Sequence, residues 1–251
     1  MEGLYRGDYH THKVIYNHLK HISYNFLSLV YALKSDNTES VHSKIMIPKS
    51  DIKVPKIEAS IKNKNNIMQK LQYVNPEINQ TKKLILINPN ASELLPLRRW
   101  PMEHYVELTK KLLTHQDTFV IITGVKSELK DAELICKKVN NDRCINFAGK
   151  TELRELIDLY HISDFLVSND SGPPNFATLT NIRGLVFFGP ETPICYKPLS
   201  DKIEALYSNF QCSPCVSAYN HRKSACKNNK CLSAITAEEV YLKIKKLIYS
   251  K

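Results

Sequence analysis

Short apolar segments alternate with helical patterns through most of the chain after residue 80. Six apolar runs are too short for helices and are bounded by glycine or polar clusters, so they predict strands. The predicted strands span residues 83–88, 118–123, 144–147, 165–168, 184–188 and 203–207. Helical stretches between them predict an α/β fold with a Rossmann-like, doubly wound parallel sheet whose strands all end at one edge.

Helices are predicted where apolar residues recur every three or four positions and where capping signals occur. The closing helix is the best marked, because Thr236 and Glu239 have the spacing of a capping box. The predicted helices cover residues 14–33, 57–71, 101–113, 127–139 and 152–163, with two more beginning at or just after Pro173 and Pro174 and after Thr236.

The first 80 residues differ in character from the rest. Residues 34–80 are rich in lysine, serine and asparagine and contain one short strand candidate at 43–47 besides the helix at 57–71. We therefore predict a linker-bearing region at 1–80 and a sheet domain at 81–251, with a cysteine-rich tail at 212–231.

Composition narrows the class of partner. The longest nearly apolar stretch, 26–33, is far too short to span a bilayer, and no apolar export signal follows Met1, which predicts a cytoplasmic protein. A formal net charge of +10 would suit an anionic partner. The lysines are scattered, however, and no basic-aromatic module occurs, so specific nucleic-acid binding is not expected.

Glycine is scarce, with seven in 251 residues, and four of the seven follow predicted strands. These are Gly124, Gly149, Gly172 and Gly189. Because glycine permits close approach by a ligand, this placement predicts a binding edge at the carboxyl ends of the strands.

The polar cluster after the fourth predicted strand is the first candidate site. Asp170, Ser171 and Gly172 follow this strand, and Pro173 and Pro174 suit the first turn of a helix. A helix amino terminus carries unpaired N–H groups and partial positive charge, so this turn predicts a phosphate site.

The loop after the first predicted strand carries hydrogen-bonding side chains to the same edge. Arg98 and Arg99 could hold a diphosphate through parallel charge-assisted bonds, or they could be a surface pair beside a packing tryptophan. Asn90 and Ser92 lie in the same loop. After the second strand, Glu128 could accept bonds from ribose hydroxyls or complement a helix dipole.

Four of the seven cysteines fall in the tail at 212–231. Cys212, Cys215, Cys226 and Cys231 have a spacing that can close a tetrahedral thiolate site, which would hold a structural zinc ion. Disulfides and unbound thiols are the alternatives, and a reducing compartment disfavours disulfides.

Several motifs together resemble the carboxyl-terminal half of glycosyltransferase family 9, the ADP-heptose:lipopolysaccharide heptosyltransferase group. They are NPNASELLPLRRWP, IITG, NFAGKTEL, SNDSGPPNFA, FGPETP and CSPC, in this order between residues 84 and 248. The resemblance implies a GT-B fold and inverting transfer of a sugar from a nucleotide-diphosphate donor, without a metal cofactor. It also implies a heptose-like sugar on an ADP-heptose-like donor, and an acceptor that is a lipopolysaccharide-type glycolipid or another glycan. Peripheral contact at the inner face of the cell membrane would follow from a lipid-borne acceptor.

The resemblance also implies roles for individual residues. Asp170, Ser171 and Gly172 would hold the donor's diphosphate and sugar, and Arg98 would stabilise the leaving phosphate. Asn90, Ser92, Arg99 and Gly124 would line the donor site, Glu128 would approach the ribose, and Lys150 would line the nucleotide cleft. Asn175 stands where many members have a histidine that contacts the donor.

The region before residue 84 departs from the family pattern. Residues 1–34 resemble only the last strand and following helix of the amino-terminal domain, so the glycine-rich loop and the general base of that domain are not matched. We therefore expect donor binding and little turnover from these 251 residues alone. The alternatives are a non-catalytic nucleotide-sugar-binding fragment and a metal-stapled interaction domain that binds anions.

Overall fold

The computed structural model describes residues 10–35 and 46–249. Its centre is a parallel six-stranded sheet. The strands are β1 Lys83–Asn88, β2 Thr118–Ile122, β3 Cys144–Asn146, β4 Phe165–Asn169, β5 Arg183–Phe188 and β6 Ile203–Tyr207. Their order in the sheet is β3-β2-β1-β4-β5-β6. This topology confirms the predicted doubly wound sheet, because the chain winds outward from β1 to β3 and then returns to pair β4 with β1.

Nine α-helices occur among the described residues. They are α1 Ile22–Ala32, α2 Ile61–Val74, α3 Met102–Leu112, α4 Leu129–Val139, α5 Leu153–His161, α6 Gly172–Ala177, α7 Pro193–Tyr196, α8 Lys230–Ser233 and α9 Ala237–Ile244. Short 3₁₀ turns lie at Lys49–Asp51, Pro96–Arg98 and Lys126–Glu128, and a π-helical turn at Lys245–Tyr249 follows α9. Thr236 caps α9 as predicted, since its hydroxyl accepts from the Glu239 amide at 3.2 Å, which is one of the two bonds of a capping box.

Both faces of the sheet are buried, as a parallel sheet between two helical layers requires. Ile85 and Ile87 belong to a core shared with α3, α4 and α9. Leu84 and Leu86 belong to a second core on the opposite face, which includes Ile67 of α2. Thus α2 packs on the sheet although it precedes residue 80; the predicted division at that residue stays a prediction.

The amino-terminal region differs from its predicted helix at 14–33. The helix begins only at Ile22, since the Asn17 side chain accepts from the Leu19 amide at 2.9 Å and forms a local turn that the helix cannot include. The apolar spacing predicts a core helix here, but the apolar side of α1 is exposed, with Phe26 63% and Leu29 54% accessible.

Two further sequence predictions concern a strand at 43–47 and the possibility of a membrane-spanning segment. Most of the strand candidate at 43–47 lies outside the described residues, and the part within them is irregular. Every helix among residues 10–35 and 46–249 is too short or too polar to span a bilayer.

Candidate functional site

The site is built where the winding of the sheet reverses direction. β1 and β4 are neighbours and run parallel, and Asn88 is paired with Ser168 near the carboxyl ends of both strands. Crevices at such a reversal are the usual ligand sites of open α/β sheets, because the loops leaving the two central strands diverge there. The loop that contains Arg98 and the loop that contains Asp170 therefore meet, as the sequence predicted.

Asn169, the last residue of β4, joins these two loops through its buried side chain. Its Nδ2 donates to the Pro89 carbonyl at 2.7 Å. Its Oδ1 accepts from the Trp100 amide at 2.8 Å and from the Tyr105 hydroxyl at 3.0 Å. One amide group thus fixes both ends of the Arg98 loop to the strand that carries Asp170.

Arg98 ends a short 3₁₀ turn and points its guanidinium at the Asp170 loop. Its Nη1 donates to the Asp170 main-chain oxygen at 3.3 Å and lies 3.5 Å from Asp170 Oδ2. Asn229 holds the turn from the other side by donating to the carbonyls of Leu97 and Arg99 at 3.1 and 2.8 Å. The Arg98 Nε is buried and has no hydrogen-bond partner in the described part of the chain.

A cavity of about 400 Å³ opens at this junction, within the range common for small-molecule sites. Six predicted site residues line it: Ser92, Arg98, Asp170, Ser171, Gly172 and Asn175. Five residues that the sequence did not assign to the site complete the wall: Ile22, Phe26, Glu191, Tyr196 and Arg222.

Four charged side chains of this wall influence one another. Burial raises the pKa of the Asp170 carboxyl, and Arg98 and Arg222 act in the opposite direction. Burial likewise raises the pKa of Glu191, with Arg222 and Arg98 again opposing and Asp170 reinforcing the shift. The cavity therefore holds two cations and two poorly hydrated carboxyl groups within electrostatic reach of each other.

The turn at the start of α6 offers fewer backbone donors than the sequence suggested. The helix begins at Gly172, so two of its first three positions are Pro173 and Pro174, which have no N–H group. The Ser171 hydroxyl donates to the Asn169 carbonyl at 3.1 Å, and Asn175 Nδ2 donates to the Ser171 carbonyl at 2.9 Å. An anion placed at this site would therefore be attracted mainly by the guanidinium groups.

The remaining predicted donor residues lie at neighbouring loops and do not line this cavity. Arg99 turns back to donate twice to the Ala91 carbonyl, at 3.2 and 2.9 Å. Glu128 Oε2 accepts from the Val125 amide at 2.8 Å, and burial raises its pKa. Asn90 is buried after β1, Gly124 follows β2, and Lys150 is exposed after β3.

The tail cysteines are not brought together as a ligand set. Among the described residues no group of three or more Cys, His, Asp or Glu is placed to hold a metal ion. The Cys226 thiol donates to the Asn228 carbonyl at 3.1 Å, Cys215 accepts from Ser224, and Cys231 is buried. None of these four cysteines forms a disulfide in the structure, and structural zinc stays a prediction.

The tail instead packs against the loop after β5. The amides of Cys215 and Val216 both donate to the Pro190 carbonyl, at 3.0 and 2.9 Å. Further along the tail, the Arg222 guanidinium reaches Glu191, with 3.7 Å between Nη1 and Oε1. It also lies 5.3 Å from the centre of the Tyr196 ring. Only the FGPETP motif hinted at Glu191, and nothing in the sequence pointed to Arg222.

Comparison with known proteins identifies the family to which the chain is similar. The family model described as glycosyltransferase family 9 (heptosyltransferase) matches residues 17–225. Lipooligosaccharide heptosyltransferase 2 of Haemophilus influenzae is 33% identical over 114 residues, which is 45% of this chain and 33% of that protein. The protein of the same name from Campylobacter jejuni is 25% identical over 181 residues, 71% of this chain and 56% of that protein.

A solved structure, that of Escherichia coli ADP-heptose lps heptosyltransferase II, superimposes with a TM-score of 0.65 at 23% identity. The match covers 81% of this chain and 56% of that one, and it confirms the predicted GT-B-type α/β fold. The chain spans between a third and somewhat over half of the length of these relatives. Since the family model matches most of its residues, the chain belongs to glycosyltransferase family 9.

Proposed function

We propose that the Arg98 cavity binds the diphosphate of a nucleotide-diphosphate sugar, with ADP-heptose as the model donor, and that the chain serves transfer of the sugar. One observation carries this proposal: Arg98 lines the cavity, and its buried Nε has no hydrogen-bond partner among residues 10–35 and 46–249. A buried, unpaired guanidinium N–H is costly, and a phosphate oxygen would satisfy it.

The anchoring of Arg98 suits a role in leaving-group stabilisation. Asp170 holds Nη1, so the guanidinium keeps its orientation when a ligand enters or leaves. Fixed donors aimed at developing charge stabilise a transition state without reorganisation. Arg222 supplies a second cation at the same cavity, and we propose that the two guanidiniums stabilise the departing nucleoside diphosphate without a divalent cation.

The neighbouring loops suit the nucleoside part of the donor. Glu128 lies after β2, at the same edge of the sheet, where its carboxylate would accept bonds from ribose hydroxyls. Lys150 is exposed after β3 and would face the nucleotide from the outer side.

The proposed function also includes the molecule that accepts the sugar. The curated relatives are named as heptosyltransferases of lipooligosaccharide or lipopolysaccharide, so we propose a glycolipid acceptor of that class and contact with the membrane that carries it. Transfer is proposed to invert the configuration at the anomeric carbon. Because little turnover is expected from the chain alone, the test is the anomeric configuration, read by NMR, of product accumulated over a long incubation with donor and acceptor.

The experiment for donor binding is calorimetric titration of the chain with ADP. Loss of a charge-assisted bond costs about 1.5–3 kcal/mol, so Arg98→Ala should weaken ADP binding roughly 10- to 150-fold. Arg98→Lys keeps the charge but loses the fork and should be intermediate. Arg183→Ala is the matched control, because this exposed arginine donates to the Leu247 carbonyl, away from the cavity. Equal ADP affinity in wild type and Arg98→Ala would refute the proposal.

A further inference from the structure

The Glu191 carboxylate accepts no hydrogen bond from the part of the chain that the structure describes. It lies after β5, is 1% exposed, and lines the same cavity as Arg98. Neither carboxylate oxygen has a hydrogen-bond partner within the described ranges. Arg222, 3.7 Å away, lies beyond hydrogen-bond distance. A buried carboxylate with both oxygens unsatisfied is unfavourable, so its retention in a cavity points to donors that a ligand brings.

The loop that carries Glu191 is attached to the tail at two main-chain carbonyls. The preceding Pro190 carbonyl accepts the amides of Cys215 and Val216, which attaches the loop to the tail. The Ser213 hydroxyl donates to the Gly189 carbonyl in the same way. The Arg222 guanidinium stands beside the carboxylate and the Tyr196 ring. The tail therefore fixes the main chain before Glu191, while both carboxylate oxygens stay without a hydrogen-bond partner among the described residues.

The hydrogen-bonding capacity of a carboxylate determines which ligand groups could pair with Glu191. A carboxylate accepts hydrogen bonds only, and its two oxygens lie side by side. A diphosphate also carries only acceptors and would repel it. Hydroxyl groups donate, and two hydroxyls on adjacent carbons can each donate to one carboxylate oxygen.

We propose that Glu191 recognises a vicinal diol of the sugar that the nucleotide diphosphate carries. Glu191 is then a specificity-determining residue, whereas Arg98 acts on the diphosphate. The inference rests on the proposed function, since the sugar is placed by a diphosphate bound at Arg98. We assign the vicinal diol to the sugar of the donor because Glu191 lines the same cavity as Arg98.

The test compares two ligands on one variant. Wild type and Glu191→Gln are titrated with ADP and with ADP-heptose in a calorimeter, and circular dichroism checks that the variant is folded. The glutamine is nearly isosteric but has one acceptor oxygen and no charge. ADP should bind both proteins within about threefold, whereas ADP-heptose should bind the variant at least about 10-fold more weakly. Glu204→Gln, an exposed β6 glutamate that accepts from Lys243, is the matched control and should change neither affinity.

The outcomes separate the two proposals. If wild type fails to bind ADP, the proposed function is wrong. If ADP binds wild type but Glu191→Gln weakens both ligands equally, or neither, the proposed function stands and the diol assignment is overturned. Tighter binding of ADP-heptose by the variant would also overturn it, because the carboxylate would then be repelling the ligand.

Discussion

The amide of Asn169 should be the main fastening of the Arg98 loop, and its removal is the most informative structural perturbation. In Asn169→Ala the Pro89 carbonyl loses its donor, and the Trp100 amide and Tyr105 hydroxyl lose their acceptor. All of these groups lie at a buried junction. The substitution also leaves the backbone of β4 unchanged, so its effect reports on the side chain.

The magnitude follows from these three hydrogen bonds. A buried hydrogen bond contributes about 0.5–1.5 kcal/mol net, and an orphaned buried group costs about 1–3 kcal/mol. Three bonds, two of them to main-chain groups, therefore predict that Asn169→Ala lowers the free energy of unfolding by about 3–5 kcal/mol. This is a large share of the roughly 5–15 kcal/mol by which domains are stable.

Urea unfolding followed by tryptophan fluorescence measures this loss. Trp100 is the single tryptophan, is 2% exposed, and stacks on Phe187 with 4.4 Å between ring centres, so its emission reports on the junction itself. Asn181→Ala is the control, since this exposed asparagine accepts only a 3.3 Å bond from Lys202 among those described; it should change stability by under about 0.5 kcal/mol. A loss below about 1 kcal/mol in Asn169→Ala would refute the reasoning.

Three further predictions concern charge, packing and capping. Since burial raises the pKa of Glu191 above its ordinary 4.5, the native state binds the proton more tightly than the unfolded chain, and stability falls as pH rises above 4.5. Glu191→Gln should therefore be more stable than wild type at pH 7, with the difference vanishing toward pH 4.5 in urea titrations; a variant less stable at pH 7 contradicts this. A Cβ at Gly189 would lie 2.8 Å from Cys231 Sγ, so Gly189→Ala should lower the free energy of unfolding in urea by about 1–3 kcal/mol. Gly172→Ala is the control and should not destabilise the protein, because a Cβ there has its nearest neighbour at 3.6 Å. Equal effects of the two substitutions would contradict the packing argument. Thr236→Ala removes the cap of α9 and should lower the melting temperature by the equivalent of about 1 kcal/mol, and an unchanged value would show that the cap contributes nothing.

The sheet could be read from the sequence because its strands are parallel and buried on both faces. Such strands are nearly continuous apolar runs, and β1 and β6 have the predicted bounds while the others differ by one residue at an end. The start of α1 could not be read in this way. The apolar spacing continues before Ile22, but the turn at Asn17 takes the chain out of the helix, and spacing alone carries no information about that turn.

Part of the candidate site could be predicted from the sequence and part could not. Arg98 and Asp170 could be brought together from the sequence, because both follow strands and parallel strands end at one edge. Glu191 and Arg222 could not be paired, because the tail lacks a regular element and is placed by backbone bonds to Pro190. Through this packing the cysteine-rich tail brings the Arg222 guanidinium to the cavity. The spacing of its cysteines did not predict this role.

A crystal structure of the chain with ADP tests the central claim most directly. The account predicts that a diphosphate oxygen lies within about 3.2 Å of Arg98 Nε, the donor left unpaired in the described chain, with Asp170 still bound to Nη1. A diphosphate bound elsewhere, with Arg98 turned away from it, would contradict the account.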